Sequence, residues 1–246
     1  MQVVFHERCR EVYTSDPAAA PGRLDSAVSE LRSLYAFVEP APASEEDILL
    51  VHSRRHLDRI KKNRLLYEIA ALAAGGAIQA ADLAVNGDPA FALIRPPGHH
   101  ASRESCWGFC WFNNIAIAVE KIRHQAKIER VLIIDIDLHF GDGTSNIFAG
   151  NPQVDYYHMD GINDLARYLQ KAASCDLVAV SAGFDRHVDD WGGMLTTEDY
   201  TTIGELIGDY AHRSCGGRVF AVLEGGYNHA VLGKNVLALL AGLKQR

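Results

Sequence analysis

Residues 131–143 read Val-Leu-Ile-Ile-Asp-Ile-Asp-Leu-His-Phe-Gly-Asp-Gly. An apolar β-type run passes straight into Asp135, Asp137, His139 and Asp142. Alternation along a strand predicts Asp135, Asp137 and His139 on one face. A hydrophobic core does not take two carboxylates and an imidazole without compensation. Their natural place is the carboxyl end of a strand, where open α/β sheets bind ligands. A divalent metal is the simplest compensation, with one acid and the imidazole ligating and the other acid orienting a partner.

Three more segments repeat the pattern. Residues 91–100, Phe-Ala-Leu-Ile-Arg-Pro-Pro-Gly-His-His, form a short apolar run, a stiff turn and a histidine pair. Residues 177–187 carry a buried-type run ending in Asp185. Residues 219–228 end in a Gly-Gly turn that presents Tyr227. Apolar strands are predicted at 2–5, 91–94, 131–136, 154–158, 177–181 and 219–223. Helical patterns lie near 23–38, 54–85, 114–125, 161–173, 197–214 and 228–244. Strands alternating with helices on short connections predict a three-layer α/β domain, with a mostly parallel central sheet and helices on both faces. No repeat or linker divides the chain, so a single domain over 1–246 is expected.

The segments Arg95-Pro-Pro-Gly-His-His-Ala101, Gly108-Phe-Cys-Trp-Phe-Asn-Asn114, Asp135-Ile-Asp-Leu-His139 with Gly141-Asp-Gly143, Ser181-Ala-Gly-Phe-Asp185 and Glu224-Gly-Gly-Tyr-Asn228 resemble the histone deacetylase superfamily. That superfamily includes acetylpolyamine amidohydrolases and acetoin-utilisation proteins. Weaker echoes are Ala73-Ala-Gly-Gly76 and Pro21-Gly-Arg-Leu24. The resemblance is collinear over most of the chain and implies the arginase–deacetylase fold.

It also implies roles. Asp137, His139 and Asp185 stand where similar enzymes coordinate zinc, with ferrous iron as an alternative. An isolated Asp-x-His on a strand could equally be a buried structural pair; Asp185 on a second strand favours a ligand set. Three protein ligands leave positions open for water and a carbonyl oxygen. His100 is expected as general base and then acid, and His99 as electrostatic support or an alternative acid. Asp135 should pair with His99, and Asp142 with His100. Tyr227 is the expected donor to the oxyanion. Gly108 and Phe109 would line the channel for an acyl-lysine arm, and Asn113 and Asn114 would cap the following helix. The family's structural potassium would use the backbone carbonyls of Asp135, Asp137 and His139, with Asp135 adding its side chain; His158 stands where a serine often helps.

The chain also departs from the family. Lys61–Arg64 runs nearly straight into the next helix where a longer loop is usual. After Tyr156-Tyr-His-Met-Asp160, the long glycine-rich loop that supplies the second aromatic wall is replaced by a helix beginning at Ile162. Trp107, Trp191 and Tyr157 are the candidates to face Phe109. A shallower, wider site follows, or one completed by another subunit, so a homo-oligomer is a further expectation. Asp189 and Asp190 are read as a solvated loop near the rim.

A net charge of −7 argues against nucleic acid, and no run is expected to reach bilayer-spanning length. Met1-Gln-Val-Val-Phe5 is not a secretory signal, and five scattered cysteines fit a reducing cytoplasm. The expected function is a metal-dependent deacetylase acting on an acyl-lysine or a small acylated amine such as an acetylpolyamine. The rivals are a metal-retaining binding protein with weak turnover and a binuclear-manganese ureohydrolase, for which too few bridging carboxylates are visible.

Overall fold

In the computed structural model, residues 1–125 and 128–244 are described. Strands β1 (Gln2–Val4), β2 (Ala36–Val38), β3 (Ala90–Ala92), β4 (Val131–Asp135), β5 (Val154–His158), β6 (Leu177–Ala182) and β7 (Val219–Leu223) form one sheet. Every pairing is parallel, in the order β2-β1-β3-β7-β6-β4-β5. β3, β4, β6 and β7 are buried along their whole length, as sequences apolar on both faces require. Ile133 and Ile134 point to opposite layers, each fully buried, and such burial stabilises by about 1.5–3 kcal/mol per side chain.

The helices are α1 (Asp25–Arg32), α2 (Glu45–Leu49), α3 (Arg54–Lys61), α4 (Arg64–Val85), α5 (Asn114–His124), α6 (Asp142–Phe148), α7 (Ile162–Lys171), α8 (Thr197–Cys215) and α9 (His229–Leu243). One apolar layer gathers residues of α1, α7, α8 and α9 on one face of the sheet; the other gathers those of α2 to α5 on the opposite face.

Three expectations need correction. The helix expected over 23–38 stops at Arg32, and Ala36–Val38 becomes the edge strand β2 beside β1, because Tyr35-Ala-Phe-Val38 is a β-forming run. The helix expected over 54–85 breaks at Asn63, whose side chain caps α4 by accepting from Leu66 N–H. And α4 is, by length and composition, long enough and apolar enough to cross a bilayer; 67% of its apolar window is buried inside the protein. Its small alanines raise hydropathy and let it lie closely on β3, β7 and α5.

Candidate active site

Consecutive neighbours β3, β7, β6 and β4 all end at the same edge, so the four polar segments after them converge. The chain does not continue extended beyond Asp135. Asp137 N–H donates to Asp135 Oδ1 at 3.0 Å and His139 N–H to Asp137 Oδ1 at 2.9 Å. These aspartate turns curl residues 135–139 into a loop. The strand face expected to carry Asp135, Asp137 and His139 is therefore replaced by that loop, which still delivers all three to one place.

His139 Nδ1 lies 3.2 Å from Asp137 Oδ1 and 3.0 Å from Asp185 Oδ2. Donors held about 2.0–2.1 Å from a tetrahedral ion sit about 3.3 Å apart, so this set fits one ion. Asp185 Oδ1 accepts from Leu138 N–H, whereas buried Asp185 Oδ2 is in no well-aligned hydrogen bond. A Cβ at Gly225 would come within 2.6 Å of Asp137 Oδ2 and 2.8 Å of Asp185 Oδ2. Glycine keeps that cradle open, and its N–H holds Asp137 Oδ2 at 2.8 Å. The Asp137 carboxylate and then that of Asp185, both facing its Nδ1, push His139 up to about 10. Burial and the charge of Asp137 push Asp185 up to about 6. Burial opposes ionisation of Asp137, but the charge of His99 and hydrogen bonds from His139 and Gly225 hold its carboxyl below the usual range. The cluster attracts positive charge, which a divalent ion held here would supply in place of the imidazole proton.

Two histidine–aspartate pairs stand beside it. His99 Nδ1 is 3.0 Å from Asp135 Oδ2, and its Nε2 is 3.8 Å from Asp137 Oδ1. His100 Nδ1 is 2.7 Å from Asp142 Oδ1. The two imidazoles are 4.1 Å apart. The turn before them, with a cis Arg95–Pro96 bond, is pinned by buried Glu224, whose Oε2 accepts from Gly98 and His99 N–H at 2.7 and 3.2 Å.

A pocket of about 130 Å³ opens above these groups, lined by His100, Trp107, Gly108, Phe109, Trp191 and Tyr227 among others. Larger hollows of about 630 and 660 Å³ lie elsewhere among charged surface residues and contain none of these groups. Gly108 has φ +57°, and a Cβ there would meet His100 Cδ2 at 2.5 Å. Phe109 has φ +65°, a conformation that strains a non-glycine residue. Its ring packs edge-on to Tyr227 at 5.9 Å and Trp191 at 6.3 Å. Of the three aromatic candidates, Trp191 faces Phe109 and stacks on Tyr227 at 4.0 Å. Trp107 instead packs at a tilt against His100, with ring centres 3.9 Å apart, and donates to Asp142. Tyr157 stacks on Tyr168, away from the pocket.

Sequence reasoning missed several supports. Asp190 is not a free rim charge: its Oδ2 accepts from Tyr227 and Asn228 N–H at 2.8 and 2.7 Å. Buried Arg23 bonds the carbonyls of Glu224 and Gly226, and its guanidinium lies 5.2 Å from the Tyr227 ring centre. Tyr156 donates to Asp135 Oδ2 and accepts from Gly141 N–H, both at 2.9 Å. The echo at Pro21-Gly-Arg-Leu24 pointed to Arg23; nothing in the spacing singled out Tyr156 or Asp190. Asn113 caps α5 as expected, accepting from Ala116 N–H. The potassium expectation does not fit these residues. The carbonyl of Asp137 accepts at 3.0 Å from Arg186 Nε, a cation already in place.

Residues 18–160 and 158–243 match the model of the histone deacetylase domain family. A probable deacetylase of Methanothermobacter thermautotrophicus is 33% identical over 264 residues, covering 84% of this chain and 78% of that protein. A histone deacetylase-like amidohydrolase of Pseudomonas aeruginosa is 32% identical over 279 residues, covering 88% and 73%. The polyamine deacetylase HDAC10 of Mus musculus is 28% identical; the match covers 98% of this chain and 48% of that protein. Among solved structures, the HDA15 HD domain superposes with a TM-score of 0.88 at 26% identity, covering 100% of this chain and 91% of that one.

Proposed function

The chain belongs to the histone deacetylase domain family, and from that premise we propose a zinc-dependent amidohydrolase that removes an acetyl or similar acyl group from an acyl-lysine or small acylated amine. The observation that carries this reading is the convergence, around one pocket, of a three-donor cradle, two histidine–aspartate pairs and a tyrosine.

An ion held by Asp137, His139 and Asp185 would polarise the amide carbonyl and acidify water. The rest is the work of side chains. Burial, and then the charge of His99, lower the pKa of His100, so its ring is neutral at neutral pH. With Asp142 holding Nδ1, Nε2 is free to take a proton from the attacking water and return it to the leaving amine. Burial raises the Tyr227 phenol well above its ordinary value, so it stays protonated and donates to the oxyanion. His99, pressed between Asp135 and Asp137, tunes the charge of the loop.

The site is shallow. The His139 side chain is 39% exposed, while those of Asp137 and Asp185 are 1% and 0%. Trp107 and Trp191 stand more than half exposed at the rim. The pocket takes the acyl group and the start of the arm; the remainder lies across the two indoles. Asp190 is held by the Tyr227 and Asn228 N–H groups, so it braces the Tyr227 loop. Five unpaired cysteines fit a cytoplasmic setting. The test is hydrolysis of an acetyl-lysine fluorogenic substrate. The reading expects turnover that is lost in His100→Ala and Tyr227→Phe; a bound metal with no turnover on any acyl-amine would favour a binding role.

A further inference from the structure

Arg186 directly follows Asp185, yet its side chain turns inward and is 5% exposed. Nε donates to the carbonyl oxygen of Asp137 at 3.0 Å. Nη2 donates to the Met159 carbonyl and faces His158 Nε2 at 3.1 Å. Nη1 reaches the Asp160 carbonyl at 3.5 Å. Burial holds His158 below its ordinary pKa, so the neutral ring accepts from the guanidinium. Buried arginines are ordinarily matched by a carboxylate; here the guanidinium is instead embraced by three main-chain oxygens from two loops. It lies behind a loop on which three buried carboxylates, Asp135, Asp137 and Asp185, converge.

We infer that Arg186 is a built-in cation: its guanidinium occupies the carbonyl cage behind Asp137 that would otherwise take a monovalent metal ion, and it positions that ligand. Three features support this. The donors point at carbonyl oxygens, as a cation's coordination would. Arg186 ties the loop after β4 to the residues after β5, so the two strand ends are clamped by one side chain. And Arg186's own carbonyl accepts from Met194 and Leu195 N–H at 3.0 and 2.9 Å, which fixes the backbone from which the side chain reaches. An inserted potassium ion would meet a like charge that cannot lose its proton. Arg186 is thus a positioning residue acting through Asp137, and the chain dispenses with potassium at this place.

The test compares zinc-loaded and zinc-free protein in potassium, sodium and tetramethylammonium chloride at matched ionic strength. Zinc affinity and the melting temperature of the zinc-free protein are read beside turnover. The inference builds on Asp137 as a ligand, but the zinc-free melt reads the cage even if the deacetylase reading fails. Wild type should give the same values in all three salts. Arg186→Ala in tetramethylammonium should melt lower and bind zinc at least about tenfold more weakly, the scale of losing a group that orients a ligand. Potassium should restore both and sodium should restore less. Arg186→Lys keeps a charge in the cage and should remain indifferent to potassium, which covers the case in which the alanine variant does not fold. A wild type that gains stability or zinc affinity from potassium would overturn the inference. So would an Arg186→Ala protein that potassium does not restore, or an Arg186→Lys protein that responds to it.

Discussion

The two histidine–aspartate pairs are built from the same parts and sit in different surroundings. His99 and Asp135 lie at the floor, 4% and 0% exposed by side chain, with Asp137 close by and Tyr156 on the same carboxylate. His100 and Asp142 lie at the mouth, where the Asp142 side chain is 38% exposed and shared with Trp107. Burial disfavours the charged ring in both. At the floor the charges of Asp137 and Asp135 overcome burial and raise His99 well above its usual value. At the mouth, burial and the neighbouring His99 win and His100 is lowered. Adjacent residues are thus pushed apart in acidity, the pattern expected when one holds charge and the other moves a proton. A bound dication would oppose protonation of both rings.

The sharpest way to break this comparison is to delete the proposed proton carrier. His100→Ala should lower kcat/KM by about 10²–10⁴ with metal content unchanged, measured by turnover and metal analysis; a comparable loss of zinc would place His100 with the floor. Next comes Asp135→Asn, which disturbs the loop carrying Asp137. Zinc binding should weaken by roughly 10–100-fold, seen by chelator competition, with a lower melting temperature. Asp142→Asn should retain zinc and lose about tenfold in kcat, a modest share of what general acid–base catalysis contributes. Its pH profile carries the sign. On the proposed reading neutral His100 is the competent form, and its lowered pKa keeps the acid limb of wild-type kcat/KM below the usual histidine value of about 6.5. Asp142 raises that pKa, by hydrogen bond and charge, so Asp142→Asn should move the limb to still lower pH; an upward move would contradict the assignment. The smallest effect is expected from Trp107→Phe, which keeps a ring against His100 and loses only the N–H to the exposed Asp142 carboxylate; kcat should fall by less than the about tenfold of Asp142→Asn in the same turnover assay.

Much of this was legible in the sequence because β3, β4, β6 and β7 each announce themselves by an apolar run that ends in groups of the site. Residues 131–135, 177–182 and 219–223 could not be amphipathic helices or half-exposed strands, so a buried parallel sheet followed. The pairing of His99 with Asp135 and of His100 with Asp142 followed from the family resemblance, and both contacts are present. What stayed hidden depends on where side chains turn. Tyr35-Ala-Phe-Val38 follows a helix without punctuation, so β2 was absorbed into α1. Arg186 sits in a polar loop and gives no outward sign that it bends under Asp137. Trp107, Trp191 and Tyr157 were equal candidates in sequence; only the path of the loop after Asp185, pinned by Asp190 to the Tyr227 backbone, brings Trp191 opposite Phe109.

The central claim is that Asp137, His139 and Asp185 hold one catalytic metal ion. It is tested most directly by metal content together with acetyl-lysine turnover for wild type and Asp185→Ala. One ion per chain in the wild type, with metal and activity both lost in the variant, is the expected result. A wild-type protein that binds no divalent metal, or an Asp185→Ala variant that keeps both metal and activity, would contradict the account.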